Sequence, residues 1–361
     1  MPGNTIGHLF RLTSFGESHG AAIGGVLDGC PAGLELDLEA VQRELDRRRP
    51  GSTPLGTSRN EADRVEFLSG VFEIPSRLEA GMTARNDKRV TLGTPIAFLI
   101  RNADAKPSDY DALKDVYRPG HADKTWEDKF GLRDHRGGGR SSARTTAASV
   151  VAGAIARQLL ATEGVHVHAS VLSVGEVSAT RTTDVRSLER VWQNAVRCAD
   201  PDAVPRMTEL IERVRAEGDS VGGVVSCFVR GLPVGLGEPV FDKLDADLAK
   251  AMLSINAVKG FQIGMGFHAS TMRGSEHNKA TQGGVLGGIS SGEDITFDVA
   301  FKPPSTIAKS QLTTDRSGNA VTLEAKGRHD PCVVPRAVPI VEAMTCLVLA
   351  DHLLRQRSAR V

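Results

Sequence analysis

Gly16–Leu34 reads GESHGAAIGGVLDGCPAGL, and Gly218–Leu236 reads GDSVGGVVSCFVRGLPVGL. The two stretches align without a gap at a constant offset of 202 (218 − 16). Gly16, Ser18, Gly20, Gly29, Pro31, Gly33 and Leu34 meet Gly218, Ser220, Gly222, Gly231, Pro233, Gly235 and Leu236, while Glu17 meets Asp219. Each copy is a turn, an apolar run of strand length, a G-x-P-x-G-L turn and a helical pattern. The helices are expected near 37–48 (DLEAVQRELDRR) and near 242–254 (DKLDADLAKAMLS), the second with an Asp as N-cap. The repeat predicts an α/β (α+β) chain with an internal duplication. It is expected to form a single domain over 1–361, with pseudo-symmetric halves of approximately 1–200 and 201–361. The repeat also isolates one residue. His19 faces Val221, so the shared turn does not require an imidazole, and FGESHG (Phe15–Gly20) becomes a candidate for chemistry.

Outside the repeat, strands and helices alternate. Residues 144–163 predict an Ala-rich helix, 165–175 a strand, 205–217 an amphipathic helix with Gly218 as its C-cap, and roughly 336–356 a final helix. His166 and His168 share a strand face with no third ligand nearby in sequence, so they are read as a solvated face and no metal site is expected. No apolar run approaches the ~18 residues of a spanning helix, and the N-terminus has no export signal. Five scattered cysteines without a C-x-x-C pair fit reduced thiols in a cytoplasm. With 44 basic and 44 acidic residues the net charge is zero, which argues against a nucleic-acid partner.

Arginine is nevertheless clustered, at Arg47–Arg49, at Arg118, Arg133, Arg136, Arg140 and Arg144, and at Arg328 and Arg336. In a neutral chain such clusters next to glycine suggest a discrete polyanionic ligand. GGGRSSAR places glycines and two serines just before the Ala-rich helix, where free N–H and O–H donors can meet an anion. The plainer alternative is N-capping by Ser141 or Ser142. His121 in RPGHAD is a candidate acid or base. Asp330 in GRHDPC is another candidate, against an Asx turn before Pro331. No P-loop occurs, and no glycine cluster gives a dinucleotide fingerprint.

Taken together, GESHG, DRRRPG, RPGHAD, GLRDHRGGGRSSAR, GEPVFDKLDA, SINAVKG, GGVLGGISSG and GRHDPC, in this order over essentially the whole chain, resemble the chorismate synthase family. The resemblance implies a β-α-β sandwich with internal pseudo-symmetry and a homotetramer. It implies an anti 1,4-elimination of phosphate and a ring proton from 5-enolpyruvylshikimate 3-phosphate, giving chorismate in the shikimate pathway. The reaction would need reduced FMN but have no net redox change. By resemblance His19 assists the departing phosphate, His121 protonates or holds the reduced flavin, and Asp330 helps abstract the ring proton with flavin N5. FMN contacts would come from Arg140, Ser141, Ser142, Asn256, Ala257, Gly287, Lys302, Pro303, Pro304, Ser305, Thr306 and Arg328. Ser18, Arg48, Arg49, Arg118, Arg133 and Arg336 would face the substrate.

Two features depart from the family pattern. Pro54 stands where many relatives carry an anion-binding arginine, with Arg59 the nearest stand-in, and residues 74–93 predict an extended surface hairpin or loop. The lack of a nucleotide fingerprint favours reduced flavin from an external flavin reductase, with NADPH as the alternative reductant source. Two other readings compete with this one. A Gly- and Arg-rich nucleotide or RNA binder is disfavoured by zero net charge and by only two Tyr and two Trp. An inactive paralogue would be expected to lack His19, His121 or Asp330.

Overall fold

The computed structural model describes residues 3–56, 62–74, 88–103, 110, 113–324 and 330–360. The first copy of the repeat lies in a five-stranded antiparallel sheet ordered β1-β2-β3-β7-β4. Its strands are β1 (Thr5–Ile6), β2 (Arg11–Phe15), β3 (Ala22–Asp28), β4 (Val65–Phe67) and β7 (Ile96–Arg101). Helix α1 (Leu38–Arg48) follows β3; Asp37 caps it by accepting from the Ala40 N–H at 2.9 Å, and Pro50 lies just beyond its end. The hairpin β5 (Val71–Ile74) and β6 (Lys88–Thr91) sits between β4 and β7. Of the loop expected over 74–93, residues 75–87 lie outside the described residues.

The second copy lies in a five-stranded sheet ordered β11-β14-β10-β8-β9. This sheet contains β8 (His166–Val174), β9 (Val177–Ser178), β10 (Gly223–Arg230), β11 (Val258–Ile263) and β14 (Ile295–Phe301). In each half, two strands, a helix and a third strand are followed by a fourth that inserts between the second and third, giving β2-β3-β7-β4 and β8-β10-β14-β11. The repeat's glycines explain why the turns match: Gly29 and Gly231 both have φ +79°. The change of sheet falls between residues 161 and 166, upstream of the expected boundary near 200.

Each half ends in a long helix, α3 (Thr146–Ala161) and α8 (Val334–Gln356), and these pack on each other between the two sheets. Both are buried on nearly every side, which is why neither reads as amphipathic. The core therefore has three layers, with Ile23, Leu27, Ile96, Phe98 and Ile100 facing inward from one sheet and Val225, Cys227, Phe297 and Val299 from the other. Contrary to the expectation from apolar runs, α8 is long and apolar enough to cross a membrane by length and composition, but it is buried within this core.

Three shorter helices and one more amphipathic helix complete the frame: α2 (Asp123–Phe130), α4 (Val185–Glu189), α5 (Ala203–Ala216) and α6 (Leu244–Leu253). The α6 N-cap is Lys243, not an aspartate; its first-turn Leu244 N–H donates to the Gly288 carbonyl at 2.8 Å. Peripheral pieces are α7 (Gly274–His277) and the hairpins β12 (Val285–Leu286) with β13 (Ile289–Ser290) and β15 (Gln311–Thr314) with β16 (Ala320–Leu323). His166 is exposed, but His168 is half-buried with Nε2 unpartnered, so the expected solvated face holds for only one of them. Burial and the nearby Arg157 hold the His168 imidazole below its ordinary pKa. All five cysteines are free and buried.

Candidate active site

FGESHG forms the turn between β2 and β3, where Gly16 (φ +90°) lies so close to Ala22 that a Cβ would sit 2.1 Å from its carbonyl oxygen. Asn102, just past β7, closes the turn by donating to the carbonyls of Glu17 (3.0 Å) and Gly20 (2.9 Å). Ser18 is buried, with Oγ 3.0 Å from His19 Nδ1 and 3.3 Å from the Arg136 carbonyl, so it supports the imidazole from behind. Tyr110 meets the His19 ring edge-on, at 4.9 Å between centroids.

Gly137–Gly139 runs between the two candidate histidines. A Cβ on Gly137 (φ +64°) would lie 2.2 Å from His19 Cε1, and one on Gly138 (φ +87°) would lie 3.2 Å from His121 Cε1. Bare backbone is therefore what lets both rings approach the same strip of chain. Gly138 and Gly139 of this strip also line a cavity of about 400 Å³, together with Glu17, Trp126, Phe130, Leu132 and Ser141, among others.

His121 lies in a turn locked by the second half of the chain. Ser305 Oγ donates to the Gly120 carbonyl at 2.8 Å, Lys302 Nζ donates to the same oxygen at 3.2 Å, and Lys302 also donates to Ser305 Oγ. Ala257, at φ +70°, accepts from the Lys302 N–H at 2.9 Å, and Asn256 Nδ2 donates to the Ser141 carbonyl at 2.8 Å. The fold thus gathers Ser141, Asn256, Ala257, Lys302 and Ser305 beside His121. Burial, with Lys259 adding repulsion, holds the Lys302 ammonium below its ordinary pKa. Lys302 has no carboxylate partner among the described residues. A partly buried cation without an acid, beside backbone that a ligand can approach closely, suits an anionic planar cofactor.

Other expected site residues are placed differently. Arg140 ties the FGESHG turn to the N-terminal strands through the Gly16 carbonyl (3.1 Å), Asn4 Oδ1 (2.8 Å) and Ser14 Oγ (2.9 Å). Ser142 accepts from the Arg144 N–H at 3.4 Å within a 3-10 turn, and that turn, not an open helix end, precedes α3. The α3 N-terminus is further covered by Arg48, which donates to Thr146 Oγ1 and the Ala143 carbonyl. Expected to face the substrate, Arg48 is instead 2% exposed and paired with Asp63, whose other oxygen pairs with Arg144. Arg118 and Arg133 are also buried, held by Asp123 and by Glu127. Arg49 is partly exposed at the end of α1, 3.7 Å from Asp46.

Asp330 pairs with Arg336 on α8 and faces Gly56, where an added Cβ would lie 3.4 Å from Asp330 Oδ1. Beside this pair, Arg197 donates to the carbonyls of Pro335 (2.9 Å) and Arg47, and Arg215 holds the Pro54 carbonyl at 3.2 Å. Burial and the neighbouring Arg336 and Arg47 lower the Arg197 guanidinium to about 10. Gly287 lies in the β12–β13 turn with exposed Leu286 and Ile289; the adjoining Gly288 contacts Lys243. Pro303, Pro304 and Thr306 flank the Lys302–Ser305 clamp, and Ser220 of the second repeat donates to the Pro304 carbonyl at 2.7 Å. Arg328 and Arg59 lie outside the described residues.

Comparison with known proteins decides the family. The chorismate synthase family model matches residues 10–354. The chain belongs to the chorismate synthase family. A chorismate synthase of Christiangramia forsetii is 53% identical over the full length of both chains. One from Synechocystis sp. is 51% identical, covering 98% of each. A crystal structure of a chorismate synthase superposes with a TM-score of 0.74 at 29% identity, covering 98% of this chain and 94% of that one. As a family member the chain is a carbon–oxygen lyase of the shikimate pathway, acting on a small molecule in aromatic biosynthesis.

The sequence reading missed Asp123, Asp63 and Asn102. Asp123 was within reach, two residues after His121 in RPGHAD. Asp63 and Asn102 reach their partners only through the fold, and no local pattern announces them.

Proposed function

We propose that the chain makes chorismate from 5-enolpyruvylshikimate 3-phosphate by anti 1,4-elimination, and that it requires reduced FMN. The observation that carries this reading is the shared glycine strip, which brings His19 and His121 to one stretch of backbone in a member of this family. The substrate's phosphate leaves as inorganic phosphate and a ring proton is removed, so the ring gains a double bond without net oxidation. His19, braced by Ser18, donates a hydrogen bond or proton to the departing phosphate oxygen. Asp330, oriented by Arg336, takes the ring proton. Positioned proton transfer of this kind contributes ~10²–10⁴-fold per group. When bound, reduced FMN supplies electron density as phosphate leaves and recovers it afterwards. Ser141, Ser142, Asn256, Ala257, Lys302 and Ser305 would hold it beside His121, with Arg140, Pro303, Pro304, Thr306, Gly287 and Arg328 completing the set. Arg49 and Arg336 would bind the substrate's anionic groups, while Arg48, Arg118 and Arg133 stiffen the walls behind them.

Reduced flavin is taken to come from an external reductase, with NADPH as the alternative source, in a cytoplasmic homotetramer. The test is anaerobic: the protein is mixed with the substrate and chemically reduced FMN, with oxidised FMN as control, and chorismate absorbance is followed. Product only with reduced flavin is the expected result. Flavin binding without product would remove the elimination chemistry from this chain.

A further inference from the structure

We propose that Asp123 is a positioning residue that fixes the proton of neutral His121 on Nδ1, so that the neutral ring presents Nε2 as an acceptor to whatever binds beside it. The inference rests on the reading of His121 as a site residue given above. Its observations are geometric. The Asp123 side chain is 2% exposed. Oδ2 accepts from the Arg118 backbone N–H (3.1 Å) and Nε (2.8 Å); Oδ1 accepts from Arg118 Nη2 (2.8 Å) and lies 2.9 Å from His121 Nδ1. Arg133 Nη1 stands 3.8 Å from the same oxygen.

His121 Nδ1 is contested. Arg118 Nη2 is 3.1 Å away and can only donate, whereas Asp123 Oδ1 is nearer and, as a carboxylate, can only accept. If Nδ1 carried no proton, its lone pair would face a buried carboxylate oxygen at 2.9 Å. A proton on Nδ1 removes that repulsion and leaves the Arg118 hydrogen to Oδ1, the closer acceptor. The carboxylate stays ionised: burial alone would raise its pKa, but the hydrogen bonds from Arg118 and His121 outweigh burial and hold it well below the carboxylate range. In the neutral ring Nε2 then holds the lone pair; this nitrogen has no hydrogen-bond partner among the described residues and belongs to a ring that is 20% exposed. The Gly120 clamp by Ser305 and Lys302 fixes the backbone one residue before the ring.

Removing the carboxylate reverses the assignment. In Asp123→Ala, Arg118 Nη2 is released to donate into Nδ1, and the proton moves to Nε2, turning an acceptor into a donor. The experiment labels histidine with ¹⁵N and reads the tautomer of His121 at alkaline pH, with His121→Ala identifying the signal. Protonated Nδ1 in the wild type and protonated Nε2 in Asp123→Ala are expected; protonated Nε2 in the wild type, or no change in the variant, overturns the proposal. Because Asp123→Ala strips two buried arginines of a partner and can fail to fold, Asp123→Asn is placed in a double-mutant cycle with His121→Ala. Turnover is expected to fall about 10²-fold from Asp123→Asn in the wild-type background and under about 3-fold when His121 is already alanine. Equal losses in both backgrounds would make Asp123 merely structural. If the wild type forms no chorismate, the reaction assignment fails alone, and the tautomer still decides the role of Asp123.

Discussion

At the scale of residues, Gly137 decides where the His19 ring can sit. A methyl group there would sit 2.2 Å from His19 Cε1 and 2.5 Å from Nδ1, and the backbone is at φ +64°. Gly137→Ala is expected to lose ~1–2 kcal/mol of stability from the left-handed backbone. Its turnover should fall more than about 10-fold, because the ring proposed to assist phosphate departure must move. Urea unfolding and anaerobic turnover check the two effects separately; a destabilised protein with unchanged turnover would take His19 out of the chemistry. The imidazoles, the acid and the cations proposed for this site were named from the motifs, and the repeat singled out His19 because Val221 stands opposite it. The fate of the arginines was not legible. Arg48 and Arg144 converge on Asp63, which lies 15 and 81 residues away along the chain, and only the folded path of α1 past α3 creates that buried triad.

Among elements, the crossing of α3 and α8 sets the thickness of the middle layer. Gly153 faces Ala343 so closely that an added Cβ would lie 2.5 Å from the Ala343 Cα and 2.6 Å from its carbonyl oxygen. Since the contact is backbone and cannot rotate away, Gly153→Ala must separate the helices. Overpacking of this kind costs typically ~1–3 kcal/mol, partly offset by the better helix propensity of alanine, ~1 kcal/mol. A lower urea midpoint is expected; an unchanged or higher one would mean the helices slide freely past each other. Element positions were readable where a period marked them, as with α1 near 37–48 and the amphipathic α5, although the α5 C-cap is Glu217, one residue before the expected Gly218. They were misread at 139–145, where two 3-10 turns precede α3 in place of a capped helix. There Ser142 caps the second 3-10 turn by accepting from the Arg144 N–H, while Arg48 and Thr146 Oγ1 donate to the Ala143 carbonyl, a tertiary contact that local sequence does not display.

Over the whole molecule, the contacts between the two halves include Asn256 with Ser141 at the site and Arg157 of α3 with Glu342 of α8 in the core. The matching strand orders follow the 202-residue offset between Gly16 and Gly218. The boundary near 162–165 was hidden, because β8 precedes the second copy by a long connection holding α4 and α5. Glu342 accepts from Arg157 Nη2 at 2.7 Å and from the Ala169 N–H at 2.8 Å, bridging both long helices to the second sheet. Burial pushes its carboxyl up from 4.5 to about 7, with Arg157 opposing. Between those two values the folded chain therefore holds a proton that the unfolded chain has released. Stability linked to this group is complete below 4.5 and is lost as pH rises through about 7. The loss amounts to as much as about 3 kcal/mol, since a tenfold change in proton binding is worth ~1.4 kcal/mol. Glu342→Gln keeps the shape and abolishes the titration, so its unfolding free energy should fall less than that of the wild type between pH 4.5 and 7.5. Urea titrations of both proteins across that range isolate the contribution of this carboxyl, since every other group cancels in the difference. Parallel curves would show that Glu342 is ionised throughout, fully compensated by Arg157, and that the core joint between the halves is insensitive to pH.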